Sequence, residues 1–483
     1  MNAYMSALDL KPLMLDLLLV FTALTVLLID TLMPPGRKRS LGHLTGFMLA
    51  GLFGLSFLID VTGTAFSGAY VGDAWALFFK RVFLACGALC TLGAVDYVDE
   101  RFPNRQGEFY LMLLASTLGM TLLAGARDLI LLMVCFELMG MPLAVMAAFG
   151  KTEIEAGPDR QGAEAALKLY VTSAASSAIT LFGLALVFGL AGSTRIDALS
   201  YATMTPLLTV GVLAAVAGMA FKIGAVPFHM WIPDTYQGAP TPVVAFLSVA
   251  PKAGGFAALA LLLHRGFGAH QAAWLPAFLG LIVLTLLVGN LMALPQSNAK
   301  RLLAYSGVAQ MGYLLMPLAI GTEQGNAVLL FYLAGYAVTN IGVFLVLHAV
   351  CAHQPDATVD AFAGLWHRAP GLALALLVFL LSLAGIPFAV GFWAKLYVFM
   401  AVYDAGLGWL VFLGALLAVL ALFYYLRVAR SAYFDPPAQE GGVPVDLGLK
   451  LAIGTCLLAV VGMGLWPNTV VEAAVKAAAV MGG

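Results

Sequence analysis

The stretch Phe221-Lys222-Ile223-Gly224-Ala225-Val226-Pro227-Phe228-His229 ends an apolar run that begins near residue 205. A helix needs about 20 predominantly apolar residues to cross a ~30 Å hydrocarbon core, and this run has that length. It ends on a lysine, a glycine and a proline. A charged side chain at membrane depth costs at least about 2.5–3.5 kcal/mol, so one that is kept is expected to have work to do. Proline removes a helix hydrogen bond and clashes with the preceding turn, while glycine tolerates the bend, so the helix should break here. Freed backbone groups at membrane depth are tolerated only where protein or a wet cavity satisfies them.

The rest of the chain repeats this pattern. Of 483 residues, 62% are hydrophobic and 10% charged, against about 25% charged in a soluble domain, so the chain reads as an all-α integral membrane protein. Apolar runs of spanning length fall at about 13–32, 41–61, 74–95, 109–126, 128–149, 163–191, 205–225, 241–263, 274–294, 302–320, 326–350, 371–401, 407–433 and 447–466. Fourteen transmembrane helices are expected, joined by loops too short for an extramembrane domain. A second interruption, Ala384-Gly385-Ile386-Pro387-Phe388-Ala389-Val390-Gly391, lies inside the twelfth run. A matched pair of broken helices in two halves marks internally repeated transporters, with the site at the breaks.

Four ionisable residues lie near mid-span: Glu137, Lys222, Lys252 and Lys395. Lys252 is flanked by Pro251 and by Gly254-Gly255, Lys222 precedes Pro227 by five residues, and Lys395 follows Pro387 by eight. Desolvation disfavours the charged form of either group and an opposite charge favours it, so a glutamate facing a lysine suits a proton relay. A static ion pair would account for one lysine and leave two. Lys168, with Glu164 one turn earlier, reads as a relay member or as a side chain that snorkels to the interface. His229 follows the first break and can change charge near physiological pH. His264 and His348 stand near span ends. Tyr305, Ser306, Gln310, Tyr313, Tyr336 and Asn340 can hold water chains or join helices.

Composition excludes other chemistry. The net charge of -1 gives no bias toward nucleic acid, and Cys86, Cys90, Cys135, Cys351 and Cys456 form no Cys-x-x-Cys pair of the kind that zinc and iron–sulfur sites use. No metal or cofactor is expected in this chain. The first apolar run lacks a basic leader and a small-residue cleavage pattern, so it reads as a permanent span. Arg37, Lys38, Arg39, Arg101, Arg105, Lys151, Arg160, Lys300, Arg301, Arg368, Arg427, Arg430 and Lys450 fall on one side. Lys11, Arg127, Arg195, Arg265 and Lys476 fall on the other, joined by Lys80 and Arg81 if the third helix begins late. The richer side should be cytoplasmic, which leaves both termini periplasmic.

These residues carry a resemblance. Glu108-Phe109-Tyr110-Leu111, the Glu137 helix, Lys168-Leu169-Tyr170 with Ser173-Ala174-Ala175-Ser176-Ser177, and Phe221-Lys222 through Val226-Pro227-Phe228-His229-Met230-Trp231 resemble the antiporter-like membrane subunits of proton-pumping NADH:quinone oxidoreductase, respiratory complex I. Asn298-Ala299-Lys300-Arg301-Leu302-Leu303-Ala304-Tyr305-Ser306 and Gly385-Ile386-Pro387 to Lys395 extend the likeness. Pro233-Asp234-Thr235-Tyr236-Gln237-Gly238-Ala239-Pro240 points to the subunit N branch.

The resemblance implies about 14 transmembrane helices, two inverted five-helix repeats and discontinuous helices 7 and 12. It divides the chain into an N-terminal three-helix segment (1–107), a first repeat (108–265), a second repeat (266–434) and a C-terminal helix (435–483). It implies a proton relay through Glu137, Lys222, Lys252 and Lys395; Lys168 and His229 remain further candidates by their positions alone. Gln310 departs from relatives that place histidine there, and an amide cannot take up a proton as imidazole does. The chain would translocate protons in a bacterial inner membrane, beside subunits M, K and J and the lipid bilayer. NAD, FMN, iron–sulfur clusters and quinone would sit in partner subunits, with no redox chemistry in this chain. The alternative is a subunit of a cation/proton antiporter without redox coupling.

Overall fold

The computed structural model describes residues 10–34, 36–149, 160–351, 357–437 and 441–481. Lys151 lies outside them, and the side chain of Arg160 is likewise not described. The chain opens with α1 (Met14–Leu32), α2 (Arg39–Leu55), α3 (Ala74–Arg101), α4 (Gln106–Gly125), α5 (Leu129–Ala147), α6 (Arg160–Ala191) and α7 (Pro206–Ile223). Side-chain oxygens start several of them: Asp73 accepts from the Ala76 amide, Asp128 from Ile130 and Leu131, and Thr205 from Leu208. Each satisfies an amide that the first helical turn leaves orphaned.

The run ending at Lys222 stops where expected. Gly224 takes a left-handed φ of 83° and its amide returns to the Ala220 carbonyl at 2.9 Å, a glycine-terminated helix end. The chain resumes with α8 (Trp231–Gly238), α9 (Thr241–Leu247) and α10 (Ala250–Ala260). The run at 241–263, expected as one helix, forms one spanning segment, Thr241–Gly266, whose helical bonding lapses briefly between α9 and α10. Pro251 has no N–H to donate and crowds the carbonyl one turn back, so helical bonding lapses at Ser248 and Val249. Then come α11 (Gln271–Ala293), α12 (Ala299–Ile320), α13 (Glu323–Cys351), α14 (Pro370–Ala384), α15 (Val390–Asp404), α16 (Gly408–Phe434), α17 (Leu447–Leu465) and α18 (Asn468–Ala479).

Among the described residues, twelve helical segments are long and apolar enough to cross a membrane. Two expected spans fall short of that as single helices: α2 has 17 residues, and the 371–401 run is split into α14 and α15 of 15 residues each. α13 runs through the centre, packing on α3, α9, α12, α14, α15, α17 and α18. Outward faces are also apolar, with Phe21, Phe182, Phe412 and Val419 exposed. A helix in water keeps its apolar stripe inward, so this surface suits a hydrocarbon surround.

Two elements were not expected from the spans. An antiparallel pair, β1 (Gly63–Ala65) and β2 (Tyr70–Gly72), connects α2 to α3, and α18 closes the chain as a short helix packed on α3 and α13. Ion pairs tie neighbouring elements together: Lys38–Asp30 at 2.8 Å, Arg39–Asp96 at 2.5 Å, Lys11–Asp60 at 2.6 Å and Arg127–Asp73 at 2.6 Å.

Lys80 would join the lysine-poor side only if the third helix began late, and it does not. The third helix begins at Ala74, so Lys80 is inside it and fully buried, 2.5 Å from Asp16 on α1, with the Tyr70 hydroxyl donating to the same carboxylate at 3.2 Å. Removing one partner of a buried pair strands the other, at about 3–5 kcal/mol. Lys80→Met is expected to lower the thermal unfolding midpoint of the purified protein, and Asp16→Asn added to it should recover part of the loss. A single variant as stable as wild type would show that the pair holds nothing together.

Candidate functional site

Three buried lysines and one half-buried glutamate define the site, in two clusters at the two helix breaks and a third position between them. At the first break, Lys222 occupies the last turn of α7, where the unpaired carbonyls of a helix end favour a cation. Its Nζ donates to Ser173 Oγ at 3.1 Å and lies 5.3 Å from the Phe136 ring centroid. A Cβ at Gly140 would come within 2.0 Å of that Nζ, so the amine lies directly against this glycine and a larger residue would require it to move. One turn from Ser173, Ser177 donates to the carboxylate of Glu137. Glu137 and Lys222 make no direct ion pair; two serines of α6 stand between them, each holding one of the charged groups.

The break has protein partners for several freed groups. The Phe221 carbonyl accepts from the Trp231 indole at 3.0 Å, and the Val226 amide donates to Thr285 Oγ1 at 3.0 Å. His229 sits in the break, half-buried, with its ring 6.4 Å from that of Tyr305 and its Nδ1 without a hydrogen bond among the described residues.

Lys252 lies on the first turn of α10, wholly inaccessible, and its Nζ meets no hydrogen-bonding protein atom among the described residues. It stands 5.5 Å from the Tyr236 ring centroid. A Cβ at Gly307 on α12 would be 3.3 Å from Lys252 Nζ and 3.4 Å from the Tyr336 hydroxyl, so lysine and tyrosine border the same spot. Tyr336 donates to the Ser248 carbonyl at 3.3 Å and Asn340 Nδ2 to Ser248 Oγ at 2.7 Å, at the point where α9 and α10 part.

The second break is built differently. α14 ends at Gly385, φ 87°, and Lys395 reaches back from α15 to donate to the last carbonyls of α14, Leu383 at 2.9 Å and Ala384 at 3.0 Å. Its Nζ lies 4.9 Å from the Tyr313 ring centroid. Gln310 Nε2 donates to the same Leu383 carbonyl at 2.9 Å and to the Tyr425 hydroxyl at 3.2 Å, and its Oε1 accepts from Tyr332 at 2.6 Å. Tyr425 and Ser306 share a further bond of 2.6 Å. Gln310 is thus fully engaged as an amide. Tyr332 and Tyr336 are one turn apart on α13, so buried hydroxyls mark a line from Lys252 toward Lys395.

Lys168 is not part of that line. Its side chain is 44% exposed and lies between Glu164 at 2.7 Å and Asp234 at 2.8 Å, and Asp234 also accepts from Arg301 at 2.7 Å. This network ties α8 to α6 and α12 at one end of the bundle. His264 sits between Asn326 Oδ1 at 2.9 Å and the Leu318 carbonyl at 2.8 Å, and His348 packs edge-on against Tyr97. Among the described residues no group of three His, Cys, Asp or Glu side chains is placed to hold a metal.

Sequence reasoning missed Tyr332, Tyr425, Ser248 and Gly140. Two left a trace: Tyr332 precedes Tyr336 by four residues and Gly140 follows Glu137 by three, so each shares a helix face with a residue already singled out.

Buried lysines set against interrupted helices, inside an all-helical apolar fold, define the class of multi-pass membrane proteins that move ions. Residues 126–421 match the transmembrane family described as NADH:quinone oxidoreductase/Mrp antiporter. The NADH-quinone oxidoreductase subunit N of Heliobacterium modesticaldum is 39% identical over 443 residues, covering 91% of this chain and 92% of its own length. The chain belongs to this family. Among solved structures, a chain of respiratory complex I from Thermus thermophilus with bound aureothin superposes with a TM-score of 0.81 at 31% identity, over 95% of this chain and 99% of that one. A chain of the Mrp complex from Dietzia shares the fold, with a TM-score of 0.86 at 20% identity over 98% of each chain.

Proposed function

We infer that the chain is subunit N of a proton-pumping NADH:quinone oxidoreductase, a membrane-arm subunit that translocates protons while electrons pass from NADH to quinone elsewhere in the complex. The observation that carries this is the set of three buried lysines at interrupted helices, in a chain 39% identical to a subunit N over nearly its whole length. Protons enter from the cytoplasm toward Lys222 and Lys252 and move past Tyr336, Tyr332 and Gln310 to Lys395. An ammonium at Lys252, which meets no acceptor among the described residues, either takes water as its partner or gives up its proton. That is the behaviour of a relay station. Glu137 sets the proton affinity of Lys222, while Lys168 and His229 stand at the approach.

The same reading divides the chain into a three-helix segment (1–107), two inverted five-helix repeats (108–265 and 266–434) and a C-terminal part (435–483). α7 with α8, and α14 with α15, are then discontinuous helices 7 and 12 of fourteen. The membrane is the bacterial inner membrane with both termini periplasmic, the neighbours are subunits M, K and J, and NAD, FMN, iron–sulfur clusters and quinone belong to partner subunits. Purification through a tag on this chain tests the reading. Flavin and iron–sulfur subunits are expected to come with it, and NADH is expected to drive proton uptake in reconstituted vesicles. Cation/proton exchange by a preparation without redox subunits would identify an antiporter subunit instead.

A further inference from the structure

A second concave site lies away from the lysines. A cavity of about 370 Å³ opens between α2, α3, α13, α17 and α18, and its walls are apolar: Phe53 and Phe78, Val82 and Ala334, Val338 and Met463. Its one charged lining residue is Arg81. Arg81 is seven residues into α3, about 10 Å along the helix axis at 1.5 Å per residue. Its guanidinium lies 4.0 Å from the ring centroid of Phe57, which is exposed, and donates to the Ser56 carbonyl at 2.8 Å and to Ser56 Oγ at 3.2 Å. No carboxylate among the described residues pairs with it, so its positive charge has no counter-charge among them.

Charged groups within membrane helices pair with opposite charges or with backbone carbonyls; Arg81 has the Ser56 carbonyl and no carboxylate among the described residues, and guanidinium matches phosphate geometry well. An apolar trough with a single cation at its rim has the polarity of one molecule in particular: an acyl chain ending in an anionic head. We propose that this cavity binds an anionic phospholipid, one acyl chain lying in the groove and the headgroup phosphate on Arg81. Exposed Leu58 and Phe57 beside the rim extend the apolar approach. The site does not depend on the proton relay, and its occupant would join the N-terminal helices to α13 and α18.

The test uses the purified, delipidated complex and phosphatidylglycerol carrying a photoreactive diazirine in one acyl chain, with cross-links mapped by mass spectrometry. Cross-links are expected on peptides containing Phe78, Val82, Ala334 or Val338. Unlabelled phosphatidylglycerol is expected to compete about tenfold better than phosphatidylcholine, a difference of the size one charge-assisted contact supplies. Arg81→Gln should abolish that preference while keeping the cross-links, and Ala334→Trp, which fills the groove, should abolish the cross-links in a complex that still assembles. Absence of cross-links in the wild type, or equal competition by the two lipids, overturns the proposal. Survival of the cross-links in Ala334→Trp does so too.

Discussion

Glu137→Gln is expected to cut NADH-driven proton uptake about tenfold or more while the complex still assembles. The substitution is nearly isosteric, and a glutamine oxygen can still accept from Ser177, so the local geometry has no reason to collapse. What disappears is the negative charge one helical turn from Gly140, the residue against which Lys222 Nζ rests. One pKa unit of lost charge stabilisation is worth about 1.4 kcal/mol, and a relay that must load a proton on Lys222 would feel a shift of that order as a tenfold change. The check is proton uptake in vesicles, normalised to the amount of assembled complex. Ser177→Ala should do less, because it removes an orienting hydrogen bond and leaves the charge. Wild-type pumping by the glutamine variant would sink the coupling role of Glu137.

The helix ends at Gly224 and Gly385 were legible because glycine acts locally: both take the left-handed conformation that a terminating helix needs. Intramembrane lysines were legible because their cost in hydrocarbon makes them rare. Direction around the helix was not. Spacing put Glu137 and Lys222 well inside their apolar runs but could not show that Ser177 and Ser173 would hold them, since that depends on how three helices are rotated against one another. The pairing of Lys80 was not legible for a related reason: its partner Asp16 is 64 residues away, and hydropathy reports a span without reporting what one side chain meets. Lys168, left open between relay and interface, has a side chain held among carboxylates at one end of the bundle. Gln310 was judged unsuited to carry a proton, and its three bonds to Leu383, Tyr425 and Tyr332 give it a different task, that of fixing the carbonyl which Lys395 also uses.

That shared carbonyl makes Lys395 the position where charge and proton release can be told apart. Its ammonium caps the end of α14, replacing hydrogen bonds that the broken helix cannot make for itself. Lys395→Met removes donor and charge together and is expected to lower proton translocation about tenfold or more, with Gln310 still holding the Leu383 carbonyl. Lys395→Arg keeps the charge, offers more donors and can stack on Tyr313, 4.9 Å from the present Nζ. A guanidinium does not give up its proton in the accessible pH range. If Lys395 passes protons on, arginine therefore fails as methionine does, although it restores the cap. If the residue is only a fixed charge, arginine pumps. Packing is tight, with the Lys395 Cδ only 2.8 Å from where a Cβ at Gly385 would stand, so each variant must first match wild type in thermal stability and subunit content. Near-normal proton translocation by an intact arginine variant would rule out proton release at Lys395, and a stable arginine variant that assembles and does not pump would assign it.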